Sequence, residues 1–202
     1  MKFIDPKIDF AFKKIFGSAE HTDVLINFLN AILYDGNQTI QHVTILNPYL
    51  PSELQELKDT YLDIQAQLTD GSFIIIEMQM VNTVAFLKRI LYNAAKRYGT
   101  ELIKGQPYNK LTPVLALTIT NFSIFDKEQS SVVKTHFQMY EKSGQFDYPA
   151  NDLQLIFIEL PKFQKKFAQL QTIADTWFYF LRTANRLQEV PPNMPKQIEK
   201  AF

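Results

Sequence analysis

The chain of 202 residues contains no cysteine. That absence excludes disulfide bonds, zinc sites built from thiolates and catalysis by a thiol, and it fits a reducing compartment. Apolar residues make up 46% of the chain, but no apolar run approaches the ~20 residues that a membrane-spanning helix needs. The start, MKFIDPKIDFAFKKIF, mixes charge into every turn and does not resemble a signal peptide. We therefore expect a soluble, cytoplasmic protein with no membrane partner.

The chain also lacks net charge, since 21 lysines and arginines balance 21 aspartates and glutamates. An anionic partner must therefore meet a local cluster of cations. There is no internal repeat and no low-complexity segment. The length suits one α/β domain with a sizeable core and is short for two domains.

Hydrophobic periodicity predicts the order helix, helix, three strands, helix, strand, strand, helix. The predicted helices cover 8–17, 18–34, 81–104 and 162–183, and the predicted strands cover 40–46, 60–68, 72–80, 114–120 and 153–160. This order predicts an α/β (α+β three-layer) domain around a mixed central sheet flanked by helices. We assign 1–202 to a single domain with a core of about 1–121 plus 153–183. The segment 122–152 is predicted to be an insertion with one weak strand.

The helix predicted over 81–104 separates into two faces on a helical wheel. Its apolar stripe contains Val84, Leu87, Leu91, Ala94, Ala95, Tyr98 and Leu102. Its polar stripe contains Arg89, Asn93, Lys96, Arg97, Thr100 and Lys104. On residue type alone, such a polar stripe is a solvated face.

The segment FIIIEMQMVN (73–82) places a carboxylate at the exit of an apolar strand. Residues 73–76 are typical of a strand that is buried on both faces. Glu77 and Gln79 follow on one face, because side chains alternate along a strand. A buried carboxylate is costly unless it is paired, hydrogen-bonded or bound to a metal.

The turn between the two strands decides whether Asp63 faces Glu77. A two-residue loop sets Asp63 opposite Met78, whereas a three-residue loop over 69–71 sets Asp63 directly opposite Glu77. The three-residue hairpin favours a residue with a left-handed backbone conformation at its last loop position. Gly71 occupies that position. Facing carboxylates, ~5 Å apart at Cβ, repel each other, and a divalent cation such as Mg²⁺ is the simplest resolution. The alternative is a structural ion pair with Arg89 or Lys96.

Several segments, taken together, are specific for one known family. They are DFAFKKIFG, LINFLNAIL, LD followed by DG, IEMQ, FLKRILYNAAKRY, LIKGQPYNKLTPV and IELPKF. The sequence resembles the recombination-promoting nuclease / putative transposase family, a branch of the PD-(D/E)XK nuclease superfamily. The resemblance implies a restriction-endonuclease-like core and a metal-dependent DNA endonuclease, associated with recombination or mobile elements.

Carried over by position, the resemblance implies roles for individual residues. Asp63 and Glu77 are the implied metal-binding carboxylates, and the backbone carbonyl of Met78 would add a ligand. Gln79 stands where the superfamily motif has a lysine; it can orient a water but brings no charge. Arg89, which the family pattern shares, is the preferred positive charge at the phosphate, with Lys96 as the alternative. Mg²⁺ or another divalent cation is the expected cofactor.

The remaining predictions concern partners and the ends of the chain. DNA is the expected partner, a homodimer is a candidate assembly, and no organic cofactor is expected. Lys96, Arg97 and Lys104 are predicted DNA-backbone contacts, with the solvated face as the alternative. Asp9 is expected to cap the first helix rather than to bind metal. In similar proteins more helix follows PPNMPKQIEKAF, so we expect a C-terminally shortened chain.

Two further expectations bear on function. Tyr92, Tyr98 and Tyr108 are expected to serve packing and hydrogen bonding rather than base stacking. The alternative to an active nuclease is a DNA-binding or assembly protein on a nuclease fold that has little or no catalytic turnover.

Overall fold

Two helices, five strands, one helix, five strands and two helices follow one another along the chain in the computed structural model, which describes residues 3–50 and 60–202. The strands are β1 (Val43–Leu46), β2 (Tyr49–Leu50), β3 (Thr60–Tyr61), β4 (Ile64–Leu68), β5 (Phe73–Gln79), β6 (Val114–Thr120), β7 (Lys134–Phe137), β8 (Tyr140–Glu141), β9 (Phe146–Asp147) and β10 (Leu153–Glu159). The helices are α1 (Asp9–Phe16), α2 (Thr22–Leu33), α3 (Phe86–Gly99), α4 (Ile173–Thr183) and α5 (Lys196–Glu199). None of the helices in these described ranges is both long enough and apolar enough to cross a membrane.

The central sheet has six strands in the order β1-β4-β5-β6-β10-β7. Strands β5, β6 and β10 run parallel, and the pairs β1–β4, β4–β5 and β10–β7 are antiparallel. The parallel strands are rich in bulky apolar residues because helices cover the sheet on both sides. The predicted α/β architecture, a mixed sheet flanked by helices, is confirmed.

Two hydrophobic cores lie on opposite faces of the sheet. The first core joins α1, α2 and α4 to one face and contains Trp177, the only tryptophan of the chain. The second core joins α3 to the other face. Along β5, Ile74 and Ile76 belong to the first core, and Phe73 and Ile75 belong to the second. Side chains alternate along a strand, so residues 77 and 79 lie on the α3 face.

The β4–β5 hairpin closes through the three-residue loop. The backbone N–H of Leu68 donates to the carbonyl of Ser72 over 2.8 Å, and Gly71 has a φ of 88°. The same register runs through the whole β4–β5 ladder. Continued by one residue, it sets Asp63 opposite Glu77. The predicted hairpin is therefore confirmed.

Helix α3 is shorter than predicted and is rotated about its axis. The predicted apolar stripe is wrong, since Val84 precedes the helix and is fully exposed, while Leu87 and Leu91 are about half exposed. The buried residues of α3 are Phe86, Ile90, Asn93 and Ala94. The two large side chains Phe86 and Ile90 enter the second core, and this packing turns the polar Asn93 inward.

Helix α4 begins 11 residues later than the predicted start at 162, at Ile173. Thr172 and Asp175 form a capping box there, with Asp175 N donating to Thr172 Oγ1 over 3.0 Å and Thr172 N donating to Asp175 Oδ2 over 3.2 Å. A capping box satisfies the free N–H groups of a first turn, so it sets the start of the helix.

The segment predicted as an insertion, 122–152, contributes to the sheet. Its strand β7 pairs with β10 at the sheet edge, where the sequence predicted a weak strand. Its strands β8 and β9 form a separate two-stranded ladder.

Candidate active site

A pocket of about 300 Å³ lies at the carboxyl end of β5. It is lined by Thr60, Tyr61, Asp63, Glu77, Met78, Gln79, Arg89, Tyr92 and Asn93. The carboxyl ends of parallel strands are the usual place for a ligand in α/β sheets. The four predicted catalytic residues all line this one pocket.

Asp63 lies in a short break between β3 and β4, in the middle of the strand predicted over 60–68. Its Oδ2 accepts a hydrogen bond of 2.8 Å from the backbone N–H of Met78. Burial raises the pKa of Asp63, against the opposing effects of this hydrogen bond and of the Lys13 charge. Its other oxygen, Oδ1, accepts no hydrogen bond from the described residues.

Glu77 in β5 is 7% exposed. Its Oε1 accepts a hydrogen bond of 2.8 Å from Asn93 Nδ2, and its Oε2 lies 3.8 Å from Arg89 Nη2. Burial is the main cause that raises the pKa of Glu77, and the negative charge of Asp63 adds to it. Asn93 and Arg89 oppose the rise without reversing it. The ion pair with Arg89 is therefore present, and burial outweighs its effect on the pKa of Glu77.

Gln79 and Arg89 are joined to each other at the mouth of the pocket. Arg89 Nη2 donates to Gln79 Oε1 over 2.5 Å, and Gln79 Nε2 donates to the carbonyl of Val81 over 2.8 Å. The Arg89 side chain is 47% exposed. It makes no other hydrogen bond to the described residues, so its remaining N–H groups are available to a ligand.

Asn93 is a site residue that the sequence did not single out. It is 4% exposed and donates to Glu77 Oε1. It follows Arg89 by four residues on α3, and residues at this spacing share one helix face. That spacing could have placed Asn93 beside the carboxylate once Arg89 was assigned to the pocket.

A family model described as "PD-(D/E)XK nuclease family transposase" matches residues 6–202. The chain belongs to this family. Neither the comparison with curated proteins nor the comparison with solved structures gives a match. Membership supports a nuclease- or transposase-related role, and PD-(D/E)XK nucleases usually use divalent metal ions.

For a member of the PD-(D/E)XK nuclease family, the donor set of this pocket fits a divalent cation. Asp63 and Glu77 each retain an oxygen that accepts no hydrogen bond from the described residues. Burial raises the pKa of both carboxyl groups, and the charge of Asp63 also raises that of Glu77; the charge of a bound cation would offset these effects. Residues 3–50 and 60–202 hold no cluster of three or more histidine, cysteine, aspartate or glutamate side chains suited to a metal. A pair of carboxylates is what Mg²⁺ commonly takes from a protein, together with water and phosphate oxygens.

The predicted DNA contacts of this nuclease-family chain do not form one exposed stripe. Lys96 Nζ donates to the carbonyl of Leu50 over 2.9 Å. The Arg97 guanidinium lies 3.5 Å from the centroid of the Phe73 ring, and its burial lowers the pKa of this group. Lys104 is exposed but lies beyond the end of α3. The premise of a single stripe is wrong, while the DNA-binding role of each residue stays a prediction.

The predicted cap at Asp9 is wrong. Ile8 is the N-cap of α1, and no side chain caps this end. Asp9 lies in the first turn, where its Oδ1 forms an exposed ion pair of 2.7 Å with Lys13 Nζ. Asp9 is nevertheless close enough to raise the pKa of Asp63 through its charge, whereas Lys13 lowers it.

Proposed function

We propose that the protein is a divalent-metal-dependent DNA endonuclease that hydrolyses phosphodiester bonds in recombination or mobile-element transfer. One observation carries the proposal: Asp63 and Glu77 line a single pocket at the carboxyl end of β5, and burial raises the pKa of both. Ionised carboxylates are unfavourable in such a buried site, and a bound cation would stabilise their charged form. Family membership supports DNA as the substrate.

Five residues of the pocket have a role in this proposal. Asp63 and Glu77 would hold the cation, with the carbonyl of Met78 as a further ligand. A cation bound there would lower the pKa of a water and stabilise charge on the phosphate. Gln79 orients the attacking water through its amide. Arg89 donates its free N–H groups to the scissile phosphate, an arrangement that suits the planar guanidinium.

One observation favours the alternative of a nuclease fold without useful turnover. Gln79 replaces the lysine of the superfamily motif, and both ends of its amide are engaged, by Arg89 and by the carbonyl of Val81. These two hydrogen bonds fix the amide, and glutamine brings no positive charge to the phosphate, unlike the lysine of the superfamily motif.

Plasmid cleavage separates the two functions. We expect nicking in Mg²⁺ that stops in EDTA and falls by more than about 100-fold in Asp63→Asn and in Glu77→Gln. Arg89→Ala should lower the rate at saturating DNA, because its contact is assigned to the transition state. His21→Ala is the control and should cleave like the native protein, since His21 lines a different pocket.

The opposite result would identify the alternative function. Retarded DNA migration on a gel with no nicking in Mg²⁺, Mn²⁺ or Ca²⁺ would show binding without turnover. Nicking that persists in Glu77→Gln would contradict the assignment of the site.

A further inference from the structure

The rim of the pocket carries an aromatic ring that contributes little to either core. Tyr61 in β3 is 77% exposed and lines the pocket. Tyr92 of α3 lines the same pocket and is 41% exposed. Leaving a large apolar ring in water forgoes the favourable free energy of its burial. A ring so placed beside a catalytic pocket gains that energy when a ligand covers it.

A small ladder holds Tyr61 in position. Strands β2 and β3 pair antiparallel, with Tyr49 opposite Tyr61. The two rings have centroids 5.0 Å apart and planes inclined by 32°. Tyr49 therefore supports the ring of Tyr61 from one side, and the high exposure of Tyr61 leaves the rest of its surface to a ligand. Side chains that are held in place before binding lose less entropy when the ligand arrives.

Tyr61 also lies at a useful distance from the carboxylates. It precedes Asp63 by two residues, so their Cα atoms are at most about 7 Å apart. Successive nucleotides of a duplex strand are spaced by roughly 3.4 Å along the helix axis, and an unpaired strand is free to extend further. A strand whose phosphate lies at Asp63 and Glu77 thus brings a base one or two nucleotides away up to Tyr61.

A base can stack on Tyr61 only when its own face is free. In an intact duplex, neighbouring base pairs cover both faces, and extruding a base costs a few kcal/mol, least where the base is already unpaired. Aromatic side chains that accept successive bases are the usual device of proteins that bind single strands. The exposed ring therefore favours unpaired DNA over intact duplex.

We propose that Tyr61 is a base-stacking platform beside the scissile phosphate and that the preferred substrate is DNA with an unpaired nucleotide at the cut, as in a single strand, a gap or a flap. This inference rests on the proposed function, because it takes the carboxylate pocket as the place where the phosphate binds. It assigns Tyr61 to substrate choice and gives it no part in the chemical step.

Fluorescence of 2-aminopurine tests the stacking directly. A single-stranded oligonucleotide with this base and cleavage-resistant phosphorothioate linkages is titrated in Mg²⁺, and its fluorescence should be quenched as the base stacks. Tyr61→Ala should weaken single-strand binding by about 5- to 150-fold, the equivalent of one lost base–aromatic contact. Binding to a blunt duplex should change by less than about twofold. Tyr61→Phe keeps the ring and should keep the quenching.

A matched control and a folding check accompany this titration. Tyr108 is 84% exposed, is absent from the pocket lining and lies in the turn Tyr108–Lys110, so Tyr108→Ala should bind single strands like the native protein. Tyr108→Ala should retain the native Tm, and Tyr61→Ala should lower it only slightly, because its exposed ring contacts Tyr49 alone among the ring pairs of the described residues. Equal losses in Tyr61→Ala and Tyr108→Ala, or equal losses on single strand and duplex, would overturn the proposal.

Cleavage in Mg²⁺ distinguishes this inference from the proposed function. Native protein should cut gapped or flapped duplex faster than intact duplex, and Tyr61→Ala should remove that preference. Cleavage with no such preference would overturn the inference and leave the nuclease proposal standing. Tyr61-dependent quenching without cleavage of any DNA would support the stacking platform and overturn the catalytic proposal.

Discussion

Single residues of the pocket are under opposing physical effects. For Glu77, burial raises the pKa, whereas Asn93 and Arg89 stabilise the charged form and lower it. For Asp63, burial acts against the N–H of Met78 in the same way. In both residues burial outweighs the stabilising contacts. The charged pocket therefore destabilises the folded state in the absence of a cation. Functional sites often lower the stability of a protein in this way.

This balance predicts that Glu77→Gln stabilises the protein. Because the folded-state pKa of Glu77 is raised, its stabilising contribution is full below the ordinary carboxyl pKa of 4.5 and is lost as pH rises through the folded-state pKa. Glutamine resembles the protonated form and still accepts the Asn93 hydrogen bond. In EDTA at about pH 7, Tm should rise by about 2–4 °C for each kcal/mol gained, as measured by calorimetry.

The pH and metal dependence of this change provide its controls. At about pH 4 and below, the difference in Tm between Glu77→Gln and the native protein should vanish, because the native carboxyl is then protonated. Added Mg²⁺ should raise the Tm of the native protein more than that of the variant. Glu128→Gln, at an exposed position, should change neither quantity. A lower Tm for Glu77→Gln at neutral pH would contradict this account of the pocket.

Among the elements, the β4–β5 hairpin sets the geometry of the site. Gly71 has a φ of 88° in a loop of three residues, and this loop gives the register that sets Asp63 opposite Glu77. Only glycine adopts this backbone conformation without steric cost. One residue at the tip of a turn thereby controls which side chains meet at the other end of two strands.

Replacement by alanine is expected to have opposite effects on stability at Gly71 in the hairpin loop and at Gly99 in α3. Among described residues, no atom beyond the immediate chain and helix neighbours lies within 4 Å of a Cβ added at Gly71 or Gly99. Gly71→Ala should cost about 1–2 kcal/mol, since an L-residue is strained in a left-handed conformation. Gly99→Ala lies in α3 and should gain up to about 1 kcal/mol from helix propensity.

Chemical denaturation of both variants measures these changes. Gly71→Asn should be less destabilised than Gly71→Ala, because asparagine tolerates the left-handed conformation better. A neutral Gly71→Ala would show that the turn relaxes to another type, and the register argument for Asp63 would then fail.

For the whole molecule, a net charge of zero makes DNA binding depend on local contacts. The three cations predicted to contact DNA do not lie on one exposed face. Lys96 and Arg97 are engaged with Leu50 and Phe73, and Lys104 is exposed beyond α3. Each contact with a DNA phosphate therefore has to be established separately. The predicted homodimer stays a prediction.

Salt dependence of DNA affinity measures each contact. Lys104→Ala should reduce the slope of log affinity against log salt by ~0.9 for one lost phosphate contact. Arg97→Ala should reduce it by the same amount and should also lower Tm, because the guanidinium packs on the Phe73 ring. Lys142→Ala, in the turn between β8 and β9, is the control. Slopes that do not change would assign both residues to structure or solvation.

Local patterns in the sequence were enough to predict the buried strands, the β4–β5 hairpin and the acidic pair. Alternation along β5 follows from strand geometry, and the choice of loop follows from the glycine at 71, so the facing of Asp63 and Glu77 needs no knowledge of the rest of the fold. The strand predicted over 114–120 is β6 for the same reason, as a run of bulky residues is buried wherever it lies.

Only the tertiary structure decided how α3 lies against the sheet. A helical wheel gives the angular position of each residue around the helix. It does not show which face of the helix packs against the sheet. Phe86 and Ile90 fit the second core, and their packing turned Asn93 toward Glu77 and left Leu87 and Leu91 about half exposed. The position of the Tyr61 ring at the pocket also depends on tertiary structure. It is held by the pairing of β3 with β2, which no local pattern predicts. Backbone geometry repeats along a strand and can be read locally, whereas the packing of a helix depends on the shape of residues far away in the chain.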